Sequence, residues 1–469
     1  MTRLIELIRR AFGQLRDPLH RNSAFLLLDQ AMLGGFGFLF WTLAAHKSSA
    51  SSIGVATAII GVMTFVASAT TVGVPAIMLR FSSSDENALA LFFAAISIVV
   101  AVSTLGSAVW VFALRAVGLS HSAGSAVHLM VFIGVPVTAL GALGTFSLIA
   151  LRRASLVVVK DAAATVVKFV PLLVIGGASA EHLVTMTVAG AATATVLALL
   201  ISWRTFERQP LAYRAGIRRL SSKMRYGVNS HIAAVVASIT VQFLPAIMIA
   251  KLGAKDAAFV AIPLLIVGSL NVIPMSISNA MIAEIASDET SVRRRLRQAM
   301  VSTVTLAFPA VILLALVAPL VLSIFGSAYQ EGGTTCLRWM AASVIFSSFN
   351  YLSDALLLVQ QRSARYLVVN VVGTVAVVGL VVIFAASGPS GAGFGWFLGQ
   401  ACYLVISCVG LFTGRPRRSA PRHAQSVNGV TWWLRHAVPI LRMAPEFLAA
   451  RRQSQEVRAS AMARFGPDA

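Results

Sequence analysis

Long apolar runs separated by short polar breaks dominate the pattern along the chain. The runs fall at about 23–45, 52–79, 88–114, 126–150, 155–178 and 183–203, and again at about 227–250, 257–282, 300–325, 338–360, 366–386 and 394–413. A helix needs about 20 mostly apolar residues to cross a bilayer, so each run is read as one membrane-spanning helix. The fold class expected is an all-α polytopic membrane protein with about twelve spans. A polar, basic stretch at 204–225 divides them six and six, as expected of a transporter built from structural repeats. The segments are then 1–22, a basic amphipathic N-terminal segment; 23–203, the first six helices; 204–225, a linker; 226–413, the second six; and 414–469, a basic tail.

Composition agrees with the pattern. Of 469 residues, 57% are apolar and only 12% charged, too few charges for a soluble globular chain. The net charge of +21 would raise the question of nucleic acid in a soluble protein. Here the basic residues fall between apolar runs, where they orient helices, and no nucleic-acid partner is expected. With the N-terminus inside, 31 Lys and Arg lie in alternate, inner segments and 5 in outer ones (Lys47, Arg115, Lys251, Lys255, Arg338). This asymmetry places both termini in the cytosol and the protein in the cytoplasmic membrane.

The termini carry further amphipathic patterning. Leu4, Ile8, Phe12 and Leu15 recur at near-helical spacing among arginines. In the tail, Trp432, Trp433, Ile440, Leu441 and Leu448 alternate with Arg435, Arg442, Arg451 and Arg452. Both stretches read as helices lying on the membrane surface, the tail attracted to anionic lipids.

Motifs for other chemistries are missing from the sequence. It contains no GxxxxGK[ST], HExxH, GxSxG or GxGxxG, so no ATPase, zinc protease, serine hydrolase or dinucleotide enzyme is indicated, and no cofactor or metal. Cys336, Cys402 and Cys408 form no CxxC and are read as packing residues.

Charges inside the runs carry the functional information, because each costs roughly 2.5–3.5 kcal/mol at a helix centre. Asp29, Lys160, Asp161, Lys168 and Asp354 lie within spans, and His231 opens the seventh. Counted from the span ends at 1.5 Å per residue, Asp29, Lys160, Asp161, His231 and Asp354 share the inner third of the bilayer, and Lys168 lies near the midplane. Asp161 and Lys168 fall on one helix face; Lys160 and Asp161, about 100° apart, do not face each other. Two readings follow. In one, Lys160 snorkels and the aspartates make buried pairs that hold helices together. In the other, these six residues line an inward-facing, water-filled cavity of mixed charge and bind substrate. Several spans also contain proline, and Gly391, Gly395 and Gly399 form a small-residue face for close helix packing.

Short pieces spread over residues 22–413 extend the reading. They are Gly35-Phe36 with Phe40-Trp41-Thr42, Tyr226-Gly227 with His231, Ile273-Pro274 with Ala283-Glu284, and Phe325-Gly326 with Tyr329, Gly333 and Leu337-Arg338. With them the chain resembles the polysaccharide-exporter, Wzx-like branch of the multidrug/oligosaccharidyl-lipid/polysaccharide (MOP) flippase superfamily. The resemblance implies two six-helix bundles facing each other across a central cavity. It also implies alternating-access transport of a polyprenyl-pyrophosphate-linked glycan, or a related glycolipid, from the inner to the outer leaflet, without enzymatic activity. Glycan-assembly enzymes are further partners it allows. The competing readings are a cation-coupled multidrug antiporter of the same superfamily, a non-transporting flippase-like scaffold for cell-envelope glycan assembly, and an integral-membrane glycosyltransferase or polymerase.

Overall fold

The computed structural model describes residues 18–81, 88–116, 125–206, 213–287, 292–360 and 362–412, and among these every regular element is helical. The surface helices expected over 1–22 and in the 414–469 tail lie outside the described residues, except that 18–22 begin the first helix. The first half contains α1 (Pro18–Lys47), α2 (Ala50–Thr70), α3 (Val74–Phe81), α4 (Ala88–Ala116), α5 (Ser125–Ala150), α6 (Ala154–Val174) and α7 (Ala180–Phe206). The second contains α8 (Tyr213–Ser238), a π turn (Ile239–Phe243), α9 (Leu244–Leu252), α10 (Ala254–Ser287), α11 (Val292–Ser323), α12 (Ser327–Val359), α13 (Ser363–Phe384), a 3-10 turn (Ala385–Ser387) and α14 (Gly388–Phe412).

Among the described residues, nine stretches are long and apolar enough to cross a membrane, and the last of them, Ala364–Leu411, holds both α13 and α14. Helix α6 is outside this set because Lys160, Asp161 and Lys168 all fall in its 21 residues. The helices outrun the apolar patterning. α8 starts at Tyr213, inside the stretch read as a linker, and α11 starts at Val292, among its arginines. Hydropathy registers only the part of a helix that needs lipid; the backbone continues into polar sequence as long as no breaker stops it. The run at 52–79 is the opposite case. It breaks at 71–73, where Val72 (φ 49°) and Gly73 (φ 75°) take left-handed conformations, and α3 sets off in a new direction.

Buried residues form an asymmetric core. At the end of the bundle that holds the 47–50 and 175–180 connections, one cluster joins the halves: Phe40, Ile53, Leu172 and Leu183 from the first with Leu244, Ile262, Leu322 and Val377 from the second. Toward the opposite end the core divides. Ile77, Leu91, Phe92 and Leu143 form one cluster, which also takes in Leu220 of α8. Met281, Leu296, Met300 and Leu352 form another, confined to the second half. The halves therefore share one cluster at one end, while at the other one cluster joins the first half to the start of α8 and a second belongs to the rest of the second half.

Two glycines of α2 make the seal possible. A Cβ on Gly54 would overlap the carbonyl oxygen of Ala254, and one on Gly61 would overlap that of Gln242, so the α2 backbone lies directly against the second half. The small-residue face of α14 packs as its spacing predicts. Gly391, Gly395 and Gly399 lie against α13 so closely that a Cβ on Gly399 would come within 2.6 Å of the Val377 Cα.

Candidate functional site

Helices α1 and α6 run side by side in parallel and are tied at both ends. Near the start of each, the Ala154 amide donates to Asn22 Oδ1 at 3.4 Å. At the far end, Lys47 Nζ donates to the carbonyls of Leu172, Leu173 and Ile175, each at 2.9 Å, and the Ala178 amide donates to the Lys47 carbonyl. A lysine on the last carbonyls of a helix satisfies acceptors that have no partner within it and opposes the negative end of its dipole.

Four of the six charges singled out in the sequence lie along this seam. Lys160 Nζ pairs with Asp161 Oδ1 at 2.6 Å, with both side chains largely buried. Their 100° separation around the helix therefore does not keep them apart: without water, the long lysyl stem swings back to the nearest carboxylate. Asp29 of α1, only 3% exposed, lies within hydrogen-bonding reach of Asp161 and feels the Lys160 charge, yet its Oδ1 has no partner. Farther along, Lys168 Nζ sits 3.9 Å from the centre of the Phe40 ring and 5.9 Å from that of Trp41, a cation–π arrangement.

The other two residues lie elsewhere. His231 of α8 makes a long contact, 3.4 Å, with the Ala69 carbonyl of α2. Asp354 of α12 accepts from Asn370 Nδ2 of α13 at 3.2 Å, within the second half and beside Tyr351, Tyr366 and Tyr403. A common depth in sequence does not become a common cavity, because depth fixes height along a helix and leaves open which neighbour the side chain faces.

The cavity itself lies between the halves. It has a volume of about 1000 Å³ and is bounded by α1, α2, the π turn with α9, and α10. Its polar wall consists of Gln30, Trp41, Thr57, Thr64, Gln242 and Ser269; the remaining lining is apolar or glycine. Among the described residues that line it, none is Asp, Glu, Lys, Arg or His. The Asp29–Lys160–Asp161 cluster stands beside it: Gln30 lines the cavity while Asp29 turns the other way, into the seam. Sequence reasoning passed over both glutamines by searching for charges. The available signal was an amide inside an apolar run, which also needs a partner.

A second polar centre lies buried in the second half. Asn350 Nδ2 donates to Gln400 Oε1 at 3.2 Å, and Ser407 Oγ donates to Asn350 Oδ1 at 3.3 Å, joining α12 to α14. Ser347 Oγ donates to Asn271 Oδ1 at 2.8 Å, joining α12 to α10. These are pairings that fix helices to one another.

Solved transporters share this helical arrangement. The chain's fold is similar to that of solved transporters described as members of the MOP superfamily. It is similar to an inward-facing multidrug resistance MATE family transporter of that superfamily, with a TM-score of 0.61 at 16% identity over 86% of this chain and 96% of that one. It is similar to the lipid II flippase MurJ in an inward closed conformation, with a TM-score of 0.60 at 11% identity over 82% and 86%. It is also similar to a MOP superfamily transporter from Pyrococcus furiosus described as having a binding pocket of reversed polarity, with a TM-score of 0.56 at 17% identity over 86% and 94%. No protein-family model and no curated protein matches the sequence. At these identities the MOP likeness is one of fold.

Proposed function

We infer that the chain crosses the cytoplasmic membrane twelve times with both termini in the cytosol, and that it flips a polyprenyl-pyrophosphate-linked oligosaccharide, or a related glycolipid, from the inner to the outer leaflet by alternating access. The observation that carries this reading is the cavity between halves whose one shared cluster at one end gives way, at the other, to two distinct clusters, one of the first half with the start of α8 and one of the rest of the second half. The basic Arg152 and Arg153, the start of α8 and the start of α11 belong, by the charge pattern of the loops, to the divided end. The cavity then opens to the cytosol, where such a precursor is loaded.

Helix α1 supports an amphiphile as cargo. It packs chiefly on α6, while Leu28, Phe36 and Leu39 are exposed and Gln30, Leu33, Gly34 and Gly35 face the cavity. One wall of the cavity is thus a single helix with lipid behind it, beside which an acyl chain remains in the bilayer while its headgroup enters. The Asp29–Lys160–Asp161 cluster supports a driving role. Two carboxylates and one ammonium balance when one proton is held between the carboxylates, and the unpartnered Asp29 oxygen lies one residue from cavity-lining Gln30. Asp29 and Asp161 are assigned to proton coupling; Lys168 and His231 support the walls, and Asp354 the second half.

The multidrug antiporter is favoured by the likeness to MATE transporters. The cavity wall speaks against it, since a cationic cargo would meet no carboxylate there. Leaflet-specific labelling of lipid-linked sugar after depletion of the protein separates the two. Accumulation on the inner leaflet is expected; an unchanged distribution, together with uptake of fluorescent cations by reconstituted vesicles, would replace the flippase with the antiporter. Orientation is tested in a chain lacking its native cysteines. Ser387→Cys should react with an impermeant thiol reagent from outside and Ser222→Cys should not; the reverse pattern would invert the direction of transport.

A further inference from the structure

The π turn between α8 and α9 has features that the transport reading does not use. It spans Ile239–Phe243, immediately before Pro245. Proline has no N–H to return to the carbonyl four residues earlier, here Val241, and its ring crowds that carbonyl; widening the turn is one way a helix absorbs this. Three contacts then fix the widened turn. The Gln242 carbonyl lies directly against Gly61 of α2. The Phe243 ring is held between Phe65 of α2 and Trp110 of α4, at centroid distances of 5.6 and 5.8 Å. Thr240 Oγ1 donates back to the Ala237 carbonyl at 2.8 Å.

With Phe243 committed to the first half, the neighbouring Gln242 lines the cavity. Its Oε1 is buried and accepts no hydrogen bond. Other polar groups of the wall are partly committed: Thr57 and Thr64 donate to carbonyls of their own helix, and Ser269 donates to Leu265. Gln30 faces the same cavity from α1. A buried amide without a partner is costly, and a π turn packed against α2 and α4 is a fixed place to keep one. Gly34, Gly35 and Gly268 also line the cavity, and a Cβ at any of them would meet nothing within 4 Å, so space is kept beside the amides.

We propose that Gln242, presented by the π turn, and Gln30 of α1, which lines the same cavity, form an uncharged hydroxyl-binding site that takes a saccharide ring in the central cavity. The inference rests on the flippase reading and deepens it, because it assigns the sugar, and not the phosphate, to this level. An amide offers both a donor and an acceptor, which matches the vicinal hydroxyls of a sugar. Neither a phosphate nor an organic cation finds a counter-charge on this wall.

The test uses the full chain in phospholipid nanodiscs and three photoreactive probes with one decyl chain and different heads: maltoside, phosphate and trimethylammonium. The maltoside probe is expected to label α1 and the π turn–α9 segment, and excess non-photoreactive decyl maltoside should compete. Gln242→Leu should reduce that labelling about tenfold, the loss of one buried hydrogen-bonding partner. Gln242→Asn should retain part of it, and Gly268→Leu, which occupies the free space, should reduce it without touching the amide. Unchanged maltoside labelling in a folded Gln242→Leu protein, or equal labelling by all three heads, overturns the site. Maltoside binding that depends on Gln242 in a protein that moves no lipid-linked sugar would sink the flippase reading and leave the saccharide site standing. Normal flipping by Gln242→Leu would do the reverse.

Discussion

Two buried polar clusters, one in each half, are completed to different degrees. In the second half, Asn350, Gln400 and Ser407 satisfy one another between α12 and α14, and Asp354 is answered by Asn370. In the first, Asp29, Lys160 and Asp161 crowd the seam between α1 and α6 with two carboxylates for one ammonium, and one Asp29 oxygen has no partner. A closed amide network has nothing left to exchange and serves to hold helices in register. A cluster left one proton short of balance retains something to exchange, at a cost that packing alone would not require. The difference teaches which buried polar groups to read as function: those that remain incomplete.

The sharpest way to break this comparison is a pair of isosteric changes. Asp29→Asn is expected to lower flipping in proteoliposomes by roughly 5- to 150-fold, the range of an ordinary coupling free energy, with little effect on thermal stability in detergent. Asp354→Asn should keep its partner Asn370 and stay within a few-fold of the wild type. Equal losses in both would mean that the two clusters do not differ in kind.

Stability should respond the other way round. Asn350→Leu leaves Gln400 and Ser407 buried without a partner and should cost about 1–3 kcal/mol, read as a lower apparent unfolding free energy in detergent. A second change, Gln400→Leu, should restore part of it. If the double variant is no better than the single one, the network is not the unit described.

Smaller effects sharpen the edges of the seam. Lys168→Met removes the charge over Phe40 and Trp41 and should cost about 0.5–2 kcal/mol, while Lys168→Arg should retain most of it; a matching loss in Phe40→Leu that is not additive with Lys168→Met would tie the effect to the ring. His231→Ala should change stability by no more than about 0.5 kcal/mol, since its contact with Ala69 is long. A larger loss would show that the contact between α8 and α2 holds the halves together.

Much of the architecture was readable before any coordinates. The apolar runs located the helices, because lipid demands long apolar segments and nothing else supplies them. The small residues at 391, 395 and 399 pointed to a close helix contact, and the fold makes that contact with α13. Breaks that depend on backbone conformation were not readable in the same way. The turn at 71–73 lies inside an apolar run, and the π turn before Pro245 leaves no mark in hydropathy. The charges were visible and correctly marked as costly, but their partners were not.

The sequence by itself determined the class of protein, the positions of most helices and the residues that a bilayer would tolerate only for a reason. These follow from transfer free energies, which are properties of residue types and their spacing along one chain. Tertiary structure alone decided which charges meet. Asp29 finds Lys160 and Asp161 across a parallel pair of helices more than 130 residues apart in sequence, while Asp354 at a similar depth turns into the other half. It also decided that the cavity is walled by amides, hydroxyls and glycines, because helix rotation, the close passage of Gly61 against Gln242 and the clamp on Phe243 set where each side chain points. Those are facts about how helices approach one another, and no one-dimensional pattern contains the angle of approach.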